Sequence, residues 1–185
     1  MALVLIKEDG SGLAGANSYA SAADGDAYHL GHSYASAWTG ATTAQKEAAL
    51  VMATRLIDAY MEFGGEKNVS GQALQWPRYG CVDMDRGGGG TGVLSGWVVR
   101  LGCFSSAAVP ACVVAATCEM ARELLSDDRT AEWAGQGLLS SGVGAVKQVF
   151  DRLGKPTVLS RVTMALLRKV GYAVEGGCAV RLVRA

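Results

Sequence analysis

An excess of either charge sign is the first thing this sequence lacks. Seventeen Lys and Arg stand against seventeen Asp and Glu. The chain therefore has no overall field to attract a polyanion, and the balance predicts against tight DNA binding, whose usual footprint is a basic excess. The same neutrality gives little colloidal repulsion, which suits a subunit held in an assembly better than a freely diffusing enzyme. Long hydrophobic runs are also missing. The longest, Ala107 to Cys118, contains Pro110 and stops at Glu119, well short of the roughly 20 apolar residues that cross a bilayer. The opening Leu3-Val4-Leu5-Ile6 is followed by Glu8 and Asp9; it lacks the basic flank and apolar length of a signal peptide and reads as a short strand.

Catalytic and metal-binding residue types are scarce. The two histidines, His29 and His32, lie three apart, a spacing that can hold a metal on a helix, but no nearby Cys or carboxylate completes a tetrahedral set. Cys81, Cys103, Cys112, Cys118 and Cys178 are odd in number and show no C-x-x-C spacing, which fits reduced thiols rather than a disulfide framework. Gly87, Gly89 and Gly92 spell G-x-G-x-x-G, yet no βαβ unit surrounds them, so no dinucleotide site is expected. Asp83-Met-Asp85 begins like a calcium loop, but Gly87 and Leu94 occupy later ligand positions, and calcium is unsupported. With no nucleophile elbow, Walker A or H-E-x-x-H motif, the sequence predicts no enzyme and no cofactor. Asp24, Asp26, Asp58 and Glu119 are the nearest acid–base candidates, and all four read more simply as helix-start or exposed-face residues.

What is present is helical. Half of the 185 residues are apolar, enough for one sizeable core. Ser21 with Asp24 three residues on predicts a capped helix to about His32. Trp38 then reads as an anchor folded back onto the core. Thr42 with Gln45 caps a second helix whose Ala49, Ala53, Ile57 and Tyr60 line one side beside Leu50, Leu56 and Met61, with Gly64-Gly65 as its stop. Tyr79 to Val109 is too glycine-rich to pack regularly and predicts a projecting loop, with a hairpin from Val93-Leu94 and Trp97-Val98-Val99. Pro110 opens a third helix bearing Val113, Val114, Thr117, Met120, Ala121 and Leu124. Thr130 to Gly144 reads as a linker, Val143 to Phe150 as a strand, and Pro156 to Gly171 as a fourth helix. The expected fold is mainly α: a small helical bundle at 1–142 with a long Gly-rich loop or hairpin, and a mixed strand-helix-strand C-terminal arm at 143–185.

Two patterns invite a binding role. A Trp before Pro is held extended, so Trp76-Pro77-Arg78 reads as a staple fastening a loop to the helices; the sharper alternative has Trp76 stacking on a base and Arg78 pairing with phosphate. From residue 143 onward, eight basic side chains, among them Arg161, Arg168, Lys169, Arg181 and Arg184, face only Asp151 and Glu175. That asymmetry fits docking on an acidic protein surface or contact with DNA. Arg181-Leu182-Val183-Arg184-Ala185 alternates charge and aliphatic, as a strand added to a neighbour would. Alternatively, Val180 to Val183 completes a local sheet with Val146 to Phe150.

The ordered blocks Ala16-Asn17-Ser18-Tyr19 with Ser21, Lys46 to Leu50 with Ala53-Thr54-Arg55, Gln75-Trp76-Pro77-Arg78 and Arg181 to Ala185 resemble a tailed-phage family of head-tail connector adaptors, also labelled DnaT-like. Tyr28, Trp38, Val109-Pro110 and Glu119 add to the resemblance. It implies a structural virion protein that forms a ring of about twelve copies under the portal and joins the capsid to the tail. The ring would leave a lumen through which double-stranded DNA passes without specific binding. Its implied partners are the portal ring and a downstream stopper, terminator or nozzle, and its implied location is the virion neck, after assembly in the host cytoplasm. Arg161, Arg168, Lys169, Arg181, Leu182, Val183 and Arg184 would dock on the portal. The DnaT-like label itself implies the alternative, a replication-associated single-stranded DNA-binding protein. The long glycine-rich stretch from Arg86 to Ala108 departs from the family's shorter crossing, so loop contacts do not carry over.

Overall fold

Helix starts are where the chain's local chemistry is clearest. A computed structural model describes residues 3–83, 90–94, 97–131, 140–143, 146–149 and 157–174. Helix α1 (Ala22–His29) opens on a complete capping box: the Ser21 hydroxyl accepts from the Asp24 N–H while the Asp24 carboxylate accepts from the Ser21 N–H. Such reciprocal capping satisfies two otherwise orphaned donors. A single turn, α2 (Ser36–Thr39), follows and drives Trp38 to 1% exposure. Gly25 makes that possible, since a Cβ there would lie 2.2 Å from the Trp38 ring. The longest helix, α3 (Thr43–Tyr60), has its own capping box from Thr42 and Gln45. The expected starts of both helices are therefore observed.

The end of α3 differs from expectation. No glycine stop is used: Met61 is already extended, and the chain runs straight into β1 (Met61–Phe63), turns at Gly64-Gly65 and enters β2 (Glu66–Lys67). Burying Met61 and Phe63 on alternate positions of a strand wins over continuing the helix into solvent. Tyr60, expected on the packed side, is instead 40% exposed. Strand β3 (Arg78–Tyr79) pairs antiparallel with β2. Then β4 (Val82–Asp83), β5 (Gly90–Leu94) and β6 (Trp97–Cys103) form a three-stranded sheet in the order β4-β6-β5. The expected hairpin is present with Val93 facing Val98 and Leu94 facing Trp97; the Gly87–Gly89 stretch lies outside the described residues.

Helix α4 (Ala111–Ser126) begins on Pro110, as expected. Where one strand was expected near 143–150, two short ones, β7 (Ser140–Val143) and β8 (Val146–Val149), pair antiparallel. The expected fourth helix is shorter than the sequence suggests. Helix α5 spans Arg161–Leu167 because the Ser160 hydroxyl, not Pro156, supplies the cap by accepting from the Thr163 N–H. The chain then reaches β9 (Gly171–Ala173), which pairs with β1 rather than with the 146–150 region. The alternative local sheet for Val180 to Val183, and most of the expected linker from Thr130 to Gly144, lie outside the described residues.

The protein is mainly helical, with five helices packed together among the described residues and a few short sheets. One core gathers Tyr19, Trp38, Leu50, Ile57, Trp76, Val113, Met120, Leu159 and Leu167. Fully burying each large apolar side chain contributes roughly 1.5–3 kcal/mol; α3 supplies Leu50 and Ile57 and α4 Val113 and Met120. Leu159, Leu167 and Val170, which lie beyond residue 142, belong to the same cluster. Among the described residues, no helix is long and apolar enough to cross a membrane.

Candidate functional site

Trp76 does not face solvent. It is fully buried, with its ring edge-on to Phe63 and Phe104 at centroid separations of 5.8 and 6.2 Å. A ring enclosed this way cannot stack on a base, so the sharper reading of Trp76-Pro77-Arg78 is corrected. The backbone of this loop is held by a buried network that the sequence did not announce. The Tyr19 hydroxyl donates to Asp58 Oδ1 at 2.5 Å and accepts the Trp76 N–H at 3.2 Å. Asp58 Oδ2 accepts the Gln75 N–H at 3.1 Å. Burial pushes the Asp58 carboxyl up to about 6 despite the Tyr19 hydrogen bond, and burial followed by the Asp58 charge raises the Tyr19 phenol. Asp58 is thus no exposed-face residue; it is a brace between α3 and the loop.

Arg78 leaves that loop and clamps the next turn. Its Nε donates to the Gly64 carbonyl at 2.8 Å, Nη2 to the Gly65 carbonyl at 2.6 Å, and Nη1 to Gln75. Gly65 has φ +72, and a Cβ there would lie 2.2 Å from the Tyr79 carbonyl, so only glycine lets β2 and β3 close together. The Gly64 N–H in turn donates to the Val170 carbonyl at 3.1 Å. This ties the turn after α5, with exposed Arg168 and Lys169, to the β1–β2 turn.

That junction gathers most of the exposed aromatics among the described residues. Tyr79 is 69% exposed, Tyr172 62% and Tyr60 40%. Tyr172 stands directly across from Glu62, and its phenol is raised by the hydrogen bond to that carboxylate. Tyr60 sits at the same end, its carbonyl accepting the Val174 N–H at 2.8 Å. Lys67 lies opposite Arg78, and Tyr79 opposite Glu66. Lys67, Arg78, Arg168 and Lys169 thus lie on the same strands and turns as these tyrosines, with Glu62 and Glu66 across the strands and Asp58 and Asp83 close by. Sequence reading missed all three tyrosines. Each follows or ends a motif scored for another reason: the helix stripe, Trp-Pro-Arg, and the Gly171 stop.

The other candidates scatter. Asp24 closes the α1 cap and pairs with Lys7 at 2.7 Å. Asp26 holds Lys46 at 2.7 Å and the Trp38 indole N–H at 2.8 Å. Glu119, expected on an exposed face, is 2% exposed and is paired with Arg122; its second oxygen lies 3.8 Å from His32. His29 is buried against the Cys118 carbonyl, and burial lowers its pKa. Cys81, Cys103, Cys112 and Cys118 are free thiols, with Cys118 pushed up to about 12 by burial. Arg161 is exposed at the start of α5; Arg181, Leu182, Val183 and Arg184 lie outside the described residues.

Over residues 1–185 the sequence matches the family described as "Putative DnaT-like ssDNA binding protein", and the chain belongs to that family, which is not an enzyme family. Neither a curated protein nor a solved structure matches it. This finding corrects the adaptor reading. The head-tail connector role, the portal ring and the stopper, terminator or nozzle as partners, the ring of twelve, the passage of double-stranded DNA and the virion neck location all fall with it. The physical reason is visible in the blocks themselves. Tyr19 and Trp76 are fully buried, as are Ala53 and Thr54; such residues specify a core and carry no information about what docks outside it.

Proposed function

We propose that this member of the DnaT-like family binds single-stranded DNA across the surface formed by Tyr60, Tyr79 and Tyr172, as a replication-associated protein without a catalytic step of its own. The family match along the whole chain carries the reading. The junction supports it, because sequence-tolerant single-strand binding combines aromatic faces on which bases stack with cations that follow the backbone. Tyr79 and Tyr172 offer the open rings. Lys67, Arg168 and Lys169 supply solvent-exposed charge, and Arg78, pinned by four carbonyl-type acceptors, supplies a fixed one.

Affinity is expected to be modest and salt-dependent. If the four cations each neutralise a phosphate, the slope of log K against log salt is about −3, and binding weakens roughly 50-fold between 50 and 200 mM salt. Fluorescence anisotropy of a labelled oligo-dT against the full chain measures this directly. Replacing Tyr79→Ala and Tyr172→Ala together should weaken binding at least about tenfold, since each stacked base contributes roughly 1–3 kcal/mol. No binding at 50 mM salt, or unchanged affinity in the double variant, refutes the assignment.

A further inference from the structure

Leu3 to Lys7 forms no regular strand; apart from an isolated parallel bridge between Lys7 and Ser18 it carries only single hydrogen bonds, and these fall on one edge. Ile6 donates its N–H to Asn17 Oδ1 at 2.8 Å, and its carbonyl accepts the N–H groups of Asn17 and Ser18. The Val4 carbonyl accepts from Asn17 Nδ2 at 2.8 Å, and the Glu8 N–H donates to the Ser18 carbonyl at 2.9 Å. Every one of these bonds uses an even-numbered residue. Bonds at residues 4, 6 and 8 alone are the pattern of an extended chain, in which successive residues turn their N–H and C=O groups to opposite edges; the groups of Leu3, Leu5 and Lys7 then point the other way, and no described residue bonds to them. The same short run holds Val4 at 67%, Leu3 at 45% and Ile6 at 41% exposure, a concentration of open aliphatic side chains beside an open edge. Proteins usually blunt such an edge with proline, a bulge or free charge. Here there is no proline, and the one charged side chain from Leu3 to Lys7 is neutralised by Asp24.

The geometry points to a second copy of this chain as the occupant, joined by antiparallel pairing of Leu3–Lys7 across a two-fold axis at Leu5. The sequence around Leu5 is self-complementary in the sense an isologous interface requires. Leu5 faces its own copy as a hydrogen-bonded pair, and Leu3 and Lys7 face each other likewise, so all the outward backbone groups are used at once. Val4 then lies directly opposite Ile6 of the other copy in the closer, non-hydrogen-bonded pairing, covering an exposed aliphatic side chain from each. No like charges meet across the axis, because the only cation in each strand is already paired. This surface is separate from the tyrosine junction, and the inference does not rest on DNA binding.

Sedimentation equilibrium of the full chain over a concentration series tests the pairing, with charge placed at the facing positions. The unaltered protein should show a monomer–dimer equilibrium. Val4→Glu with Ile6→Glu puts like charges across both facing pairs and should weaken the dimer at least roughly tenfold, with a thermal melt by circular dichroism confirming the fold. Val4→Glu with Ile6→Lys puts opposite charges there and should restore dimerisation. A strictly monomeric unaltered protein, an assembly larger than a dimer, or a doubly acidic variant that dimerises as well as the original each overturns the proposal. So does failure of the charge-swapped variant to dimerise better than the doubly acidic one.

Discussion

Tyr19→Phe removes a single oxygen and tests the brace on which the tyrosine junction is built. That oxygen donates to Asp58 and accepts the Trp76 N–H, so its loss deletes a hydrogen bond to a carboxylate and leaves a buried main-chain donor without a partner. A bond to a charged group contributes about 1.5–3 kcal/mol, and an orphaned buried donor costs about 1–3 kcal/mol. Phenylalanine keeps the ring in place, so no large cavity offsets or adds to this, and a loss of about 3 kcal/mol is expected. For a chain of this size each kcal/mol lowers Tm by roughly 2–4 °C, giving a fall of about 6–12 °C at pH 7. Thermal melts followed by circular dichroism, checked by urea unfolding, measure it. The loss should shrink at pH 5, where most Asp58 is protonated and the bond is no longer charge-assisted. Because the network orients Gln75 to Arg78, and Arg78 clamps the turn that presents Tyr79, oligo-dT affinity should fall as well. A Tm change under about 2 °C, or a loss independent of pH, would refute the network's role.

Two further outcomes follow from the same region. Asp58 is raised from 3.8 to about 6 in the folded protein, so between those values the native state holds the proton more tightly than the unfolded chain. Stability is therefore greatest below about pH 4 as far as this group is concerned, and falls by about 2–3 kcal/mol as pH rises through 6. Urea midpoints from pH 4 to 7 should show this component vanish in Asp58→Asn. Gly65→Ala forces a Cβ against the Tyr79 carbonyl at a left-handed φ, which should cost more than about 1 kcal/mol and reduce oligo-dT binding with the tyrosines intact; unchanged melting and binding would show the turn to be dispensable.

What the sequence determined by itself was local. Ser21 with Asp24 and Thr42 with Gln45 fix helix starts through bonds spanning three residues, and Pro110 does the same for α4, so these could be read without a fold. The blocks that drew the resemblance were equally legible, yet Tyr19, Ala53, Thr54 and Trp76 are core residues; they report how the chain packs and not what it binds, which is why the resemblance led to a wrong function and wrong partners. Tertiary structure alone decided the rest. Tyr19 meets Asp58 and Trp76 across 39 and 57 positions of chain, and β1 finds β9 from the far end of the described chain. No local pattern encodes such meetings, because they depend on which surfaces remain after the helices have packed. The exposed face of Tyr60, Tyr79 and Tyr172 is their by-product. Met61, Trp76 and Val170, within one to three positions of these tyrosines, are drawn into the core while the tyrosines stay open, because burial of apolar side chains outweighs local preference.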